Sequence, residues 1–136
     1  MNEHPNLVLV NKFFNAYSSN SIDELQDIFH ADVKWHIPGR HPLSGVKYGV
    51  GEIVEYLNQL GNFNFRAEGV VLGVSNDYVI DCHKNWSELE NIENLNNLSC
   101  LLWKFEGGKI KEVFNFPQDQ HAVDSFLTKT LGINNN

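Results

Sequence analysis

The dipeptide Gly107-Gly108 constrains this chain more than any other feature, because it stands between two stretches of alternating apolar residues. Adjacent glycines accept the positive φ angles of a two-residue turn, and alternation marks half-buried strands. Residues 98–106 and 109–116 are therefore predicted to pair as an antiparallel hairpin. Regular pairing puts Ser99, Leu101, Trp103, Phe105, Ile110, Glu112, Phe114 and Phe116 on one face. Cys100, Leu102, Lys104, Lys111, Val113 and Asn115 then fall on the other. A hairpin with so apolar a side needs another layer to cover it.

The rest of the chain supplies that layer. Residues 5–19 carry Leu7, Val10, Phe14 and Tyr17 on one helical stripe, with Leu9 and Phe13 beside it and Pro5 suited to the first turn. Ser21-Ile22-Asp23-Glu24 has capping-box spacing, and Ile22, Leu25, Ile28 and Phe29 fit one face of a short second helix. Ile53, Tyr56, Leu57 and Leu60 predict a third helix that Gly61 ends. Strands are predicted at 33–37, within 63–75 (bent by a bulge at Gly69 or Gly73) and at 78–88. The polar stretch 89–97 reads as a long connection. A closing helix at 120–131 would bury Val123, Phe126, Leu127 and Leu131, leaving Asn134-Asn135-Asn136 as a frayed tail. Helices segregated from a run of antiparallel strands make an α+β layout, with a conical space between bent sheet and helices.

Composition narrows the function. The 136 residues suit a single domain spanning 1–136, and at that size folding buries about 70% of the unfolded surface, so no staples are needed. Seventeen acidic against ten basic residues give a net charge of −7, which argues against nucleic acid as a partner. No apolar run approaches the ~20 residues of a membrane span, and Met1-Asn2-Glu3-His4-Pro5 lacks the flank and core of a signal segment. The expectation is a cytoplasmic protein that does not engage membranes. Cys82 and Cys100 cannot make a disulfide framework and read as small core residues. The six histidines show no His-Glu-x-x-His spacing, so neither metal nor other cofactor is expected.

Several blocks together resemble the nuclear transport factor 2-like superfamily, in its SnoaL-like, ketosteroid-isomerase-related branch. They are Trp35-His36-Ile37-Pro38-Gly39-Arg40-His41-Pro42-Leu43-Ser44-Gly45, Tyr48-Gly49 before the Ile53 helix, Gly107-Gly108-Lys109-Ile110, and Asp119-Gln120-His121-Ala122-Val123-Asp124-Ser125-Phe126. The resemblance implies a cone: a strongly bent antiparallel sheet wrapped over N-terminal helices. It does not carry over the isomerase chemistry. Where ketosteroid isomerase has a tyrosine, a basic aspartate and an oxyanion-facing acid, this chain has Phe13, Ile37 and, approximately, Leu101. The Asp-Arg-Asp arrangement of limonene-type epoxide hydrolases has only Arg40 and Arg66 to draw on, and Arg66 with Glu68 reads more simply as an edge-strand ion pair.

The remaining acid–base candidates are His36, His41, His83, Glu112, Asp119 and His121. Regular alternation sets Glu112 beside Trp103 inside the cone, where desolvation would raise its pKa as a general base requires. Asp119 either joins it or caps the last helix. His41, in the loop near the pocket mouth, would act as acid or charge partner to either. Parity sets His83 with Asp81, a pair expected to meet only diagonally through solvent or neighbours. By the resemblance and strand parity, Tyr17, Trp35, Tyr48, Trp103 and Phe116 wall the pocket. The implied function is a small-molecule pocket protein with proton-transfer or hydration chemistry on a hydrophobic substrate, or else a non-catalytic ligand-binding or dimerisation module. Two or more converging titratable groups in the cone would favour the enzyme. A homodimer through the outer sheet face, with Cys100, Leu102 and Val113 among lysines, is expected.

Overall fold

A computed structural model describes residues 4–19 and 21–134, the side chains of 22 and 132–134 excepted; of the tail predicted to fray, the backbone of Asn134 belongs to the last helix, and Asn135 and Asn136 lie outside the described residues, as does the side chain of Ile22. The elements are α1 (Pro5–Ser18), a 3-10 turn (Ile22–Asp27), β1 (Phe29–Ile37), β2 (Gly45–Tyr48), α2 (Gly49–Gly61), β3 (Arg66–Val74), β4 (Tyr78–Trp86), β5 (Asn96–Glu106), β6 (Lys109–Pro117) and α3 (Gln120–Asn134). One sheet takes all six strands in the order β2-β1-β6-β5-β4-β3. Strands β3 to β6 form the antiparallel run read from the sequence. The sheet is nonetheless mixed, because β1 pairs with β6 in parallel. None of the described helices is long and apolar enough to cross a membrane.

Local chemistry explains most boundaries. Pro5 occupies the first turn of α1, and the His4 imidazole accepts the Asn6 N–H at 3.1 Å. The buried Asn6 amide in turn donates to the Asn76 carbonyl at 3.0 Å, which fixes the helix start on the β3–β4 turn. The second helix does not form beyond the 3-10 turn. Leu25 and Ile28 are buried as their spacing asks, but Phe29 already belongs to β1. Phe29 pairs there with Ile110 of β6, and the strand it opens gains β2 on its other side from Lys34 onward, so its backbone groups find partners in the sheet. Strand β2 was not anticipated: four residues give too short an alternation to read.

The Gly107-Gly108 turn closes as expected, with φ of +59° and +76°. The pairing beyond it is not regular. Lys104 faces Glu112 while Phe105 faces Ile110, so Lys111 is the extra residue of a β-bulge. Side-chain direction has a period of two, so one inserted residue turns the remainder of β6 over. Val113, fully buried, and Asn115 therefore point inward, while Glu112, Phe114 and Phe116 point outward. The hairpin faces read from the sequence are correct for β5, whose burial alternates along its whole length, and inverted for β6 beyond Lys111. The concave face carries Trp103, Val79, Val33, Ile110 and Val113, all with no exposed surface, and α1 seals it through Phe13 against Trp35 and Trp103.

Candidate functional site

Between the concave face and the helices lies a cavity of about 1000 Å³. Helix α1 contributes Phe13, Phe14 and Tyr17, and Trp35 and Tyr56 continue this aromatic wall. Burial raises the pKa of Tyr17; in Tyr56 burial, and then the Tyr17 charge, raise it further, so both phenols keep their protons at neutral pH. The Trp35 indole N–H is buried with no acceptor among the described residues. The positions aligned with the isomerase's catalytic groups, Phe13, Ile37 and Leu101, all line this cavity, so the cone lacks polar groups where that chemistry would require them.

The polar wall stands opposite, on β4 and β5. Alternation along β4 sends Asp81, His83 and Asn85 inward, each across from an inward residue of β5. Asp81 Oδ1 lies 2.6 Å from His83 Nδ1, and its Oδ2 accepts the Trp103 indole N–H at 2.5 Å. Asp81 is 2% and His83 7% exposed, so this is a buried pair rather than a solvated one. Phe14 packs edge-on against the His83 ring at 6.1 Å. A carboxylate at Nδ1 accepts that nitrogen's proton in a hydrogen bond, so in the neutral imidazole the lone pair is on Nε2. Asn85 Nδ2 lies 3.4 Å from that nitrogen and donates to Ser99 Oγ at 3.1 Å, and Asn97 donates to the same hydroxyl at 3.0 Å. The result is a histidine held in one tautomer beside a row of neutral hydrogen-bonding groups.

The predicted site residues divide. Tyr17, Trp35 and His41 line the cavity. Trp103 is buried behind it and serves it through Asp81. Glu112 does not flank Trp103 inside: the Lys111 bulge puts it on the convex face, 2.6 Å from His36, whose ring stacks on Phe114. Phe116 leaves the cone for the same reason and is 55% exposed. Tyr48 is 58% exposed, because it ends the edge strand β2 rather than entering the cone. Asp119 caps α3, accepting the Ala122 N–H at 3.0 Å. The trio Glu112, Asp119 and His41 is thus not brought together.

His41 belongs to the mouth. Gly39 there has φ +94°, a conformation that favours glycine, and a β-carbon would force the Gln120 and Asp124 side chains of α3 to shift. The loop and α3 stretches noted in the sequence meet at that point. Burial lowers the His41 pKa, and the Lys47 charge lowers it further, against the Asp124 charge and a backbone hydrogen bond at Pro38.

The direct Asp81–His83 bond corrects the expectation of a merely diagonal approach. The sequence signalled only their shared facing: two residues apart on one strand, opposite the inward Ser99 and Leu101, both turn toward the cone. Among the described residues no cluster of three or more His, Cys, Asp or Glu side chains could hold a metal ion.

Comparison with known proteins agrees with this architecture. The model of the SnoaL-like domain family matches residues 10–113. An uncharacterised protein of Mycobacterium bovis, Mb0035, is 27% identical over 131 residues, covering 93% of this chain and 98% of that one. Among solved structures, Bal32a from a soil-derived mobile gene cassette superposes with a TM-score of 0.84 at 25% identity, over 90% of this chain and 96% of its own. TerC, co-crystallised with polyporic acid, gives a TM-score of 0.79 at 19% identity over 93% and 99% of the two chains, a likeness of fold.

Proposed function

This chain belongs to the SnoaL-like domain family, and from that premise we propose that its cone binds a flat, largely apolar small molecule and that the Asp81–His83 pair moves a proton on it. The observation that carries the reading is the 2.6 Å contact between two buried titratable groups inside an aromatic-walled cavity. In this reading His83 Nε2 is the base. Asp81 fixes the tautomer and stabilises the imidazolium that forms, and Trp103 holds the second carboxylate oxygen so that the carboxylate cannot swing away. The aromatic wall orients the ligand, while Asn85, Asn97 and Ser99 offer hydrogen bonds to its oxygens. Two converging titratable groups favour an enzyme over a carrier. The TerC complex with polyporic acid adds support from a like fold.

Deuterium incorporation into 2-tetralone in heavy water, followed by mass spectrometry, tests the proposal. Its C–H acid is flanked by a ketone and an aromatic ring, as the cone's two walls require. Removing a general base costs about 10²-fold or more. His83→Gln should lose exchange by that factor while still binding polyporic acid by fluorescence quenching. Unchanged exchange in the variant overturns the reading. Binding with no exchange in the wild type leaves a binding module.

We also propose that a second copy covers the convex face. Ile80 and Phe116 stand exposed there beside Leu102 and Phe114. The bases Lys84 and Lys104 share the face with the acids Glu68 and Glu112, so a two-fold axis can set unlike charges opposite one another. A monomer by light scattering at micromolar concentration counts against it.

A further inference from the structure

The two cysteines, read from the sequence as small core residues, are cross-strand neighbours: Cys82 on β4 faces Cys100 on β5. The hydrogen-bond phase of this strand pair follows from its two ends. Ser87 donates to the Leu95 carbonyl at 3.0 Å, and Phe105 donates to the Asp77 carbonyl at 3.0 Å. Alternate pairs in an antiparallel ladder are hydrogen-bonded, and counting inward from either end leaves Cys82 and Cys100 in a non-hydrogen-bonded pair. Such pairs bring Cα atoms to about 4.5 Å, at the short end of the range a disulfide spans. Both cysteines are half-buried rather than sealed in the core.

We infer that Cys82 and Cys100 form a dithiol modification site, which a low-molecular-weight disulfide oxidises to an intrachain cross-strand disulfide. The Cys82 thiolate attacks one sulfur of the reagent RSSR, giving Cys82–S–SR and releasing RS⁻, which takes up the proton that Cys82 lost. The Cys100 thiolate then attacks the Cys82 sulfur, closing the Cys82–Cys100 bond and expelling the second RS⁻, which leaves as RSH. The protein gives up two electrons and two protons, and RSSR becomes two RSH. Burial, the Cys82 thiol and the Asp81 charge hold the Cys100 thiol above its ordinary pKa. Closure therefore speeds up as pH rises through the thiol range. The site lies one residue from Asp81 but does not depend on the chemistry proposed for it. Oxidation ties β4 to β5 directly behind the polar wall of the cone.

The test is oxidised glutathione on dilute, folded protein, where the convex face is open, followed by intact-mass analysis, thiol counting and a non-reducing gel. The expected product is a monomer lighter by two hydrogens, with both thiols lost, a Cys82–Cys100 peptide link, and reversal by dithiothreitol. Cys82→Ser and Cys100→Ser should each stop at the mixed glutathione adduct. Stable double adducts on the wild type, a disulfide-linked dimer, or retention of both thiols while urea-unfolded protein reacts would each overturn the inference.

Discussion

Two histidine–carboxylate pairs of equal length, 2.6 Å each, stand on opposite faces of the same sheet. Asp81–His83 lies inside the cone on a regular strand pair, almost wholly buried and braced by Trp103. Glu112–His36 lies outside, with side chains 23% and 33% exposed and the imidazole stacked flat on Phe114 at 4.5 Å. Distance therefore does not distinguish a candidate site from a surface hydrogen-bonded pair. Side-chain direction does, and here one inserted residue, Lys111, decides it.

Deleting Lys111 breaks the comparison most directly. A regular hairpin would return Glu112 and Phe114 to the cone and expel the fully buried Val113. An unpaired carboxylate brought inside costs several kcal/mol, so Tm should fall by about 10 °C or more. A fall under about 3 °C would mean that the bulge does not set the facing of β6. Next in size is Asp81→Asn, which keeps the shape but leaves His83 Nδ1 and the Trp103 N–H with a weaker partner. Hydrogen bonds to a charged group contribute about 1.5–3 kcal/mol, and thermal or urea unfolding should show a loss of that order. No loss would mean that Asp81 is not the anchor its burial implies.

The sequence made some of this legible and hid the rest for definable reasons. Alternation along β5 was unbroken, so Leu101, Trp103 and Ser99 could be assigned to the cone, and the glycine pair fixed where the turn lay. Lys111 carries no turn or glycine signal, and a bulge there reads in the sequence like any other strand position. Its effect reached two candidates, Glu112 and Phe116. The Asp81–His83 pair suffered the opposite fault: each residue had the right parity, but their direct approach depends on side-chain rotamers that spacing does not specify. Tyr48 was misplaced because β2 is too short to announce itself, and an edge strand turns its end to solvent.

His41 lies between the two environments, lining the mouth of the cone. Its folded pKa is lowered from 6.5, chiefly by burial, so the folded protein binds a proton less readily than the unfolded chain. Stability from this group is complete above the unfolded value and is lost as pH falls from about 6.5 through the lowered folded value. Wild type should therefore lose more stability than His41→Gln between about pH 7.5 and pH 5 in urea titrations. Parallel losses would show that His41 is as free to protonate in the folded protein as in the unfolded one.

The smallest effect is expected from Glu112→Gln, the mirror of Asp81→Asn on the outer face. The substitution keeps the side chain's shape and removes its charge, while the Phe114 ring still holds His36 in place at an interplanar angle of 3°. Partly exposed ion pairs contribute about 0–1 kcal/mol, so unfolding should shift by no more than that. Exchange of 2-tetralone should not change, because the Glu112 side chain is on the convex face, away from the cavity. A tenfold loss of exchange in Glu112→Gln at unchanged stability would mean that the outer pair reaches the chemistry through the sheet. The facing of a carboxylate would then no longer separate the two pairs.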